Sequence, residues 1–93
     1  MKQFPSHFVA HIGLDWSDRK HDICLIASDS DKFEYDVINH TPESIEEWAL
    51  ALQKRFNNQP IAICLELKAG PVVYALLKYN FIVLFPITPK ALA

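Results

Sequence analysis

The sequence predicts an α/β domain with a mixed β-sheet, in which three strands are followed by two helix–strand units. Residues 8–38 contain three short apolar or alternating runs separated by polar clusters, which is typical of strands joined by turns. A helical period follows over residues 42–56, and two further apolar runs, 61–66 and 81–85, are separated by a second helical segment. The chain has 93 residues, of which 51% are hydrophobic and 22% charged, so it forms one globular domain at most.

The first three strands are predicted to form an antiparallel meander. Residues 8–15 are a β-type run that ends at Asp15 and is followed by the polar cluster 17–21. Residues 22–27 form a second apolar run, and residues 33–38 alternate apolar with acidic side chains, as a half-exposed strand does. Because the connections are short, consecutive strands are expected to pair antiparallel.

The first helix has clear start and stop signals. Thr41 is the predicted N-cap, Pro42 occupies the first helical position, and the polar run 57–60 ends the helix. Its apolar residues recur at helical spacing and form one stripe, which is expected to face the core. The members of this stripe are Ile45, Trp48, Ala49, Leu52 and Phe56.

The remaining elements are a strand, a helix and a strand. Residues 61–66 contain no polar side chain before Glu66 and are predicted to form an interior strand covered on both faces. A Gly-Pro pair at residues 70–71 opens the second helix, which is expected to run to Asn80, and residues 81–85 form the last strand.

The predicted order, β-β-β-α-β-α-β, is that of ribonuclease H-like proteins. Residues 1–7 are assigned to an N-terminal leader and residues 8–93 to a partial ribonuclease H-like domain, truncated before its C-terminal helices. Two right-handed crossovers that step in the same direction place both helices on one face of the sheet. The other face would then be uncovered unless the missing part of the protein lies on it, and the fragment is therefore expected to self-associate as a homo-oligomer.

Composition excludes several classes of protein. The net charge is −2, with nine Lys and Arg against eleven Asp and Glu, so this segment alone is expected to bind DNA weakly. No apolar stretch is long enough to span a bilayer and no signal peptide is recognisable, which predicts a soluble, cytoplasmic protein without a membrane partner. Cys24 and Cys64 lie in apolar runs and are predicted to be buried, reduced thiols. The histidine spacing is not that of a zinc site.

Two carboxylates end strands that should run parallel. Asp15 closes the first strand and Glu66 closes the fourth, so both would lie at the same edge of the sheet. If the strands are neighbours, about 4.8 Å separates their backbones, and two carboxylates this close repel unless a cation neutralises them or one protonates. Mg²⁺ ions held by carboxylates are the usual arrangement for phosphodiester cleavage. The alternative is that both acids are solvated or stabilise turns.

Other polar residues have simpler interpretations. Asp18 and Asp22 flank the first turn and are interpreted as solvated or turn-stabilising. Lys68 and Gly70 precede the second helix, where free backbone amides could contact a phosphate, although a Gly-Pro helix start explains them as well. Small residues share the faces of the two acids, which leaves room for metal, water and phosphate or for a closely packed helix.

Four short segments, taken together in their order along the chain, are more characteristic of one protein family than any single segment is. They are Ile-Gly-Leu-Asp-Trp-Ser at 12–17, Lys-His-Asp-Ile at 20–23, Leu-Glu at 65–66 before the Gly-Pro pair, and the Tyr-Ala-Leu-Leu-Lys-Tyr to Leu-Phe-Pro-Ile-Thr-Pro-Lys region at 74–90. Together they resemble the N-terminal RuvC-like domain of the DEDD insertion-sequence transposases, relatives of the pilin-gene invertases. The loop after the Leu-Glu pair is one residue longer than the family's commonest form.

The resemblance implies catalytic and metal-binding roles for Asp15 and Glu66, as the first two of four acids that bind Mg²⁺ for DNA strand cleavage. The other two acids and a serine nucleophile would lie beyond this sequence, so the fragment alone is expected to be inactive. DNA and a guide RNA are the implied partners. A Holliday-junction resolvase-like nuclease and a non-catalytic transposase remnant acting as an interaction module remain open as alternatives. An actin-like or sugar-kinase function is disfavoured, because no glycine follows Asp15 to wrap a phosphate.

Overall fold

The computed structural model describes residues 7–15, 17–66 and 70–87, and its elements follow the predicted order. The strands are β1 (Ala10–Asp15), β2 (Lys20–Ala27), β3 (Glu34–Asn39), β4 (Ile61–Glu66) and β5 (Ile82–Ile87), and the helices are α1 (Pro42–Arg55) and α2 (Gly70–Leu77).

The five strands form one mixed sheet in the order β3-β2-β1-β4-β5. β1 pairs antiparallel with β2, and β2 with β3, which confirms the predicted meander. β4 pairs parallel with both β1 and β5, so it is an interior strand as predicted, but it is not covered on both faces, because Cys64 is exposed. The α/β class is confirmed, and the element order and topology are those of a ribonuclease H-like fold.

Both helices pack on the same side of the sheet. α1 and α2 contact each other, and their buried residues join the inward rows of the strands in one core. Along β1, Ala10, Ile12 and Leu14 are buried, and the residues between them are exposed. The other side of the sheet therefore has no helical layer within the described ranges. The core residues are Ala10, Ile12, Leu14, Ile23, Leu25, Ile38, Ile45, Trp48, Ala49, Leu52, Ile61, Ile63, Leu65, Val72, Leu76, Phe81 and Ile82.

α1 begins and ends as its sequence predicts. Thr41 is extended, and its side-chain oxygen accepts a hydrogen bond of 3.1 Å from the backbone N–H of Ser44. Pro42 lies in the first turn, where its missing N–H would have had no partner within the helix. Beyond the helix, Asn57 and Asn58 have φ values of 54° and 62°, a left-handed conformation that asparagine tolerates better than most residues.

Several element boundaries differ from expectation by one to three residues, including those of β2 and α2. β2 begins at Lys20, ahead of the predicted start, because its pairing with β3 extends to Lys20 and Asn39. His21 is therefore a strand residue, and its side chain is fully buried. α2 ends at Leu77 rather than near Asn80, since the chain turns there toward β5. Neither described helix is long and apolar enough to cross a membrane.

The side of the sheet opposite the helices, here called the open face, carries exposed apolar residues. Ile38 of β3 pairs with His21 of β2, and both are buried on the helix side. The alternating residues Tyr35 and Val37 must then lie on the open face, where they are 76% and 48% exposed. Phe85 of β5 is also exposed there. The expectation of an uncovered sheet face is thus met in the described part of the chain.

We expect Leu52→Ala to lower the free energy of unfolding by about 2 to 5 kcal/mol, because it empties a buried position of α1. The matched control is Leu50→Ala on the same helix, since Leu50 is 46% exposed and Leu52 only 4% exposed. The control should change stability by no more than about 0.5 kcal/mol. Urea unfolding of both variants measures the difference, and equal losses would contradict the assignment of the core face.

Candidate functional site

Asp15 and Glu66 lie at the carboxyl ends of two neighbouring parallel strands. The register of β1 and β4 pairs Gly13 with Cys64, and each acid lies two residues further along its strand. By strand alternation, Asp15 shares the open-face row of Gly13, and Glu66 shares that of Cys64. The structure therefore brings together the two acids that were singled out from the sequence. Their catalytic and metal-binding roles remain predictions.

A concavity of about 550 Å³ on the open face is lined by both acids. In its floor, Gly13 of β1 is flanked by Cys24 of β2 and Cys64 of β4. A Cβ atom placed on Gly13 would have no atom within 4 Å, and Gly13 does not have a positive φ. The described residues thus give no packing reason for a glycine that weakens the strand. The other lining residues are Leu14, Asp22, Ile23, Tyr35 and Ile87.

Asp22 is a third carboxylate in this concavity. It is the direct cross-strand partner of Asp15 in the antiparallel β1–β2 ladder, and its side chain is exposed. The interpretation from sequence made Asp22 a solvated or turn-stabilising residue and did not place it beside Asp15. The signal that could have found it is register, because a hairpin whose loop spans residues 16–21 sets residue 22 opposite residue 15. Asp18 lies in the turn and does not line the concavity.

The donor atoms in the concavity suit a hard divalent cation without completing its site. Carboxylate oxygens are ligands that Mg²⁺ prefers, and three carboxylate side chains line the concavity. However, no group of three or more His, Cys, Asp or Glu side chains is arranged to hold a metal ion among the residues that the structure describes. The carboxylates present can therefore supply only part of a coordination shell.

Cys24 and Cys64 are free thiols, but the prediction that both are buried is wrong. Cys64 is exposed and Cys24 is half-buried, since both side chains lie on the open face. Their apolar sequence neighbours face the core instead, because successive strand residues point to opposite sides. β1 lies between the two cysteines, so their backbones are roughly 10 Å apart, beyond the reach of a disulfide.

A histidine pair, in which His21 is buried and His40 is half-buried, lies on the helix side of the sheet. His21 has 0% exposure, and its Nε2 lies 3.0 Å from Nδ1 of His40. Nδ1 of His21 accepts a hydrogen bond of 3.3 Å from the backbone N–H of Ser17. Because this N–H can only donate, the ring of His21 is neutral and carries its proton on Nε2. Burial, and after it the adjacent His40, lowers the pKa of His21.

Part of the predicted site lies outside the described residues. Lys68, which was considered with Gly70 as a phosphate contact, is one of these residues, as are Trp16 and residues 88–90. Gly70 is described and begins α2 with a φ of 21°. The suggested phosphate contact is therefore untested.

Comparison with known proteins gives a family match. Residues 12–93 match a family model of the DEDD, IS110 type that is described as "Transposase". A curated protein of Sinorhizobium fredii, named "Putative transposase y4uE", is 29% identical over 74 residues, which cover 76% of this chain and 21% of that protein. The chain therefore spans about a fifth of the length of this relative.

We expect the free energy of unfolding to fall as the pH drops below about 6.5. The folded state keeps His21 neutral, whereas the unfolded chain protonates it near that pH, so the unfolded state binds more protons in acid. The decrease in the free energy of unfolding should level off once the pH lies below the lowered pKa of His21 in the folded state.

Urea unfolding between about pH 5 and 8 measures this dependence. His21→Asn should remove this contribution, whereas His11→Asn, which replaces an exposed histidine of β1, should retain it. Identical pH profiles for the two variants would show that His21 does not cause the acid loss.

Proposed function

Because the chain belongs to the DEDD transposase family, we propose that it is the N-terminal catalytic domain of a longer DNA transposase. In this proposal, Asp15 and Glu66 are two of four acidic ligands for Mg²⁺ in DNA strand cleavage. The observation that carries it is the parallel register of β1 and β4, which leaves two carboxylates at one edge of an open concavity. The match to a transposase family supports the reaction class.

The proposed metal role follows from the electrostatics of this edge. Asp15, Asp22 and Glu66 line one concavity, and a bound cation would offset the repulsion among their negative charges. When bound, Mg²⁺ would help to activate the attacking group and stabilise the charge that develops on the phosphate oxygens. Asp15 and Glu66 would contribute carboxylate oxygens to it. The remaining ligands would come from the rest of the longer protein.

DNA is the proposed substrate, although this chain offers little positive charge for it. The net charge of −2 and the acidic lining of the concavity oppose the approach of phosphates without a cation. We therefore assign most phosphate contacts to other parts of the longer protein. A guide RNA partner and action in the cytoplasm are proposed on the family resemblance and the composition.

We propose in addition that the 93-residue chain by itself, without the rest of the longer protein, forms homo-oligomers through its open face. Tyr35, Val37 and Phe85 present exposed apolar surface there, and monomers seldom leave large apolar patches in water. Association would remove that surface from solvent.

Static light scattering at rising protein concentration should therefore give a mass above that of the monomer. Val37→Lys should shift the equilibrium toward monomer, because a charge in the buried contact would be desolvated. Leu50→Lys is the control, since Leu50 is similarly exposed but lies on α1, on the opposite side of the molecule. A monomer at every concentration would contradict oligomerisation, and an equal effect of both variants would place the contact elsewhere.

In the full-length transposase, Asp15→Asn and Glu66→Gln should each lower strand cleavage by about a hundredfold or more. Both changes keep the shape of the side chain and remove the charge that holds the metal. Folding should be unaffected or slightly improved, because clustered carboxylates repel when no metal is bound. Cleavage of a labelled DNA substrate in Mg²⁺ measures the effect, with circular dichroism to check folding.

The control for these two variants is Asp18→Asn. Asp18 lies in the turn between β1 and β2, so this variant should keep most of the cleavage activity. Normal cleavage by Glu66→Gln, or loss by Asp18→Asn equal to that by Asp15→Asn, would show that the metal ligands are assigned wrongly.

A further inference from the structure

We infer that His21 is a positioning residue, whose buried ring holds the turn between β1 and β2 and thereby fixes the end of β1 that carries Asp15. The inference depends on the proposed function only for the role of Asp15. Its evidence is a set of hydrogen bonds that begins two residues after Asp15.

The first contact fixes Ser17 from two directions. Its backbone N–H donates to Nδ1 of His21 at 3.3 Å, and its hydroxyl oxygen accepts the backbone N–H of Lys20 at 3.4 Å. The same hydroxyl donates to the carbonyl of Lys20. The turn is thus closed on itself by Ser17 and attached to the core by His21. Because Ser17 follows Asp15 so closely, this attachment limits how the chain can leave β1.

The second contact attaches the turn to the junction between β3 and α1. His40 precedes the N-cap of α1, and its backbone N–H donates to the carbonyl of Arg19 at 2.8 Å. Its ring meets that of His21 edge to face, with the ring centres 5.0 Å apart and the Nε2 to Nδ1 distance at 3.0 Å. One bond therefore joins the turn directly to the residue before the N-cap of α1, and a second reaches the turn through the ring of His21.

The direction of the hydrogen bonds gives the pair a defined chemical state. Ser17 donates to His21, so His21 must donate through Nε2 to Nδ1 of His40. A second proton on His21 would place two N–H groups against each other at Nδ1. The arrangement holds the turn only while the ring of His21 is neutral.

The burial of His21 indicates that these bonds are the reason for a histidine at this position. His21 occupies the same core-facing row of β2 as Ile23 and Leu25. An apolar side chain could fill that space without the cost of desolvating two ring nitrogens. An apolar residue would, however, leave the Ser17 N–H without this acceptor and His40 without this donor.

Two substitutions separate the contacts of His21. The side-chain oxygen of His21→Asn reaches about as far as Nδ1 and can still accept from Ser17, whereas His21→Gln reaches toward His40 and loses the Ser17 contact. In the 93-residue chain, amide exchange of Ser17 should be about tenfold faster in His21→Gln than in His21→Asn. The NMR order parameter of the Asp15 amide should fall in His21→Gln and stay near wild type in His21→Asn. Equal Asp15 order in the two variants would overturn the inference.

A measurement on the wild-type chain is independent of whether the variants fold. The ¹⁵N spectrum of His21 should show an unprotonated Nδ1 and a protonated Nε2 at neutral pH. A proton on Nδ1 would overturn the inference, because the Ser17 N–H would then have no acceptor there.

Mn²⁺ tests the proposed function separately. Mn²⁺ should broaden the NMR amide signals of residues 15 and 66 in the wild-type chain. This paramagnetic broadening should be lost in Asp15→Asn. Broadening that persists in Asp15→Asn would refute the metal role of Asp15, while the Asp15 order in the two His21 variants would still decide the positioning role. A different result would separate the two roles. If broadening is lost in Asp15→Asn but the order parameter of the Asp15 amide is equal in the two His21 variants, the metal role is supported and the positioning role is refuted.

Discussion

The parallel pairing of β1 with β4 is the constraint on which the rest of this molecule depends. Parallel neighbours cannot be joined by a tight turn, so the chain must leave β3, cross one side of the sheet as α1 and return beside β1. The pairing leaves the carboxyl ends of both strands at the same edge, with Asp15 beside Glu66. The second crossover, through α2, uses the same side. Among the described residues, one sheet face therefore becomes the core, and the other carries no helix at the acidic edge.

At the end of β1, adjacent residues lie in opposite environments on the two faces of the sheet. Leu14 is packed in the core, while Asp15, the next residue, belongs to the open concavity. A small shift in register would exchange these environments and bury a carboxylate, at a high free-energy cost. Neighbouring acids on the open face are tolerated because water solvates them. The hydrogen bonds from the following turn to His21 and His40 act on this same strand end from the core side.

Much of the fold could be predicted because its signals are local. Thr41 and Pro42 specify the start of α1 through short-range capping. Asp15 and Glu66 could be found because each is the polar residue that ends an apolar run. The burial of His21 could not be predicted in this way. It lies at the end of a polar cluster that is typical of a turn, and its partner His40 is 19 residues away.

Register explains the other differences from expectation. Cys64 lies in an apolar run, and only the strand pairing shows that it faces away from the core. Asp22 was interpreted from its local sequence as a turn residue, whereas the hairpin register makes it the direct cross-strand partner of Asp15. The apolar row of β3 likewise faces the open side because of its alignment with β2. These features depend on which residues are opposite each other, and composition and periodicity do not encode that.

The sheet order has a consequence for the order in which the acidic edge assembles. β1 and β2 are joined by residues 16–19, so Asp15 and Asp22 come into register through a local hairpin of the kind that forms in about 1 to 10 μs. Glu66 reaches them only after residues 16–60 have been closed into a loop, which carries a larger entropic cost and slows folding. Asp15 and Asp22 therefore already repel each other in the early hairpin, and the repulsion with Glu66 is added in the late, long-range step. A nascent chain that has formed its hairpin but has not docked β4 carries two of the three carboxylates and lacks the side of the concavity that β4 and β5 supply.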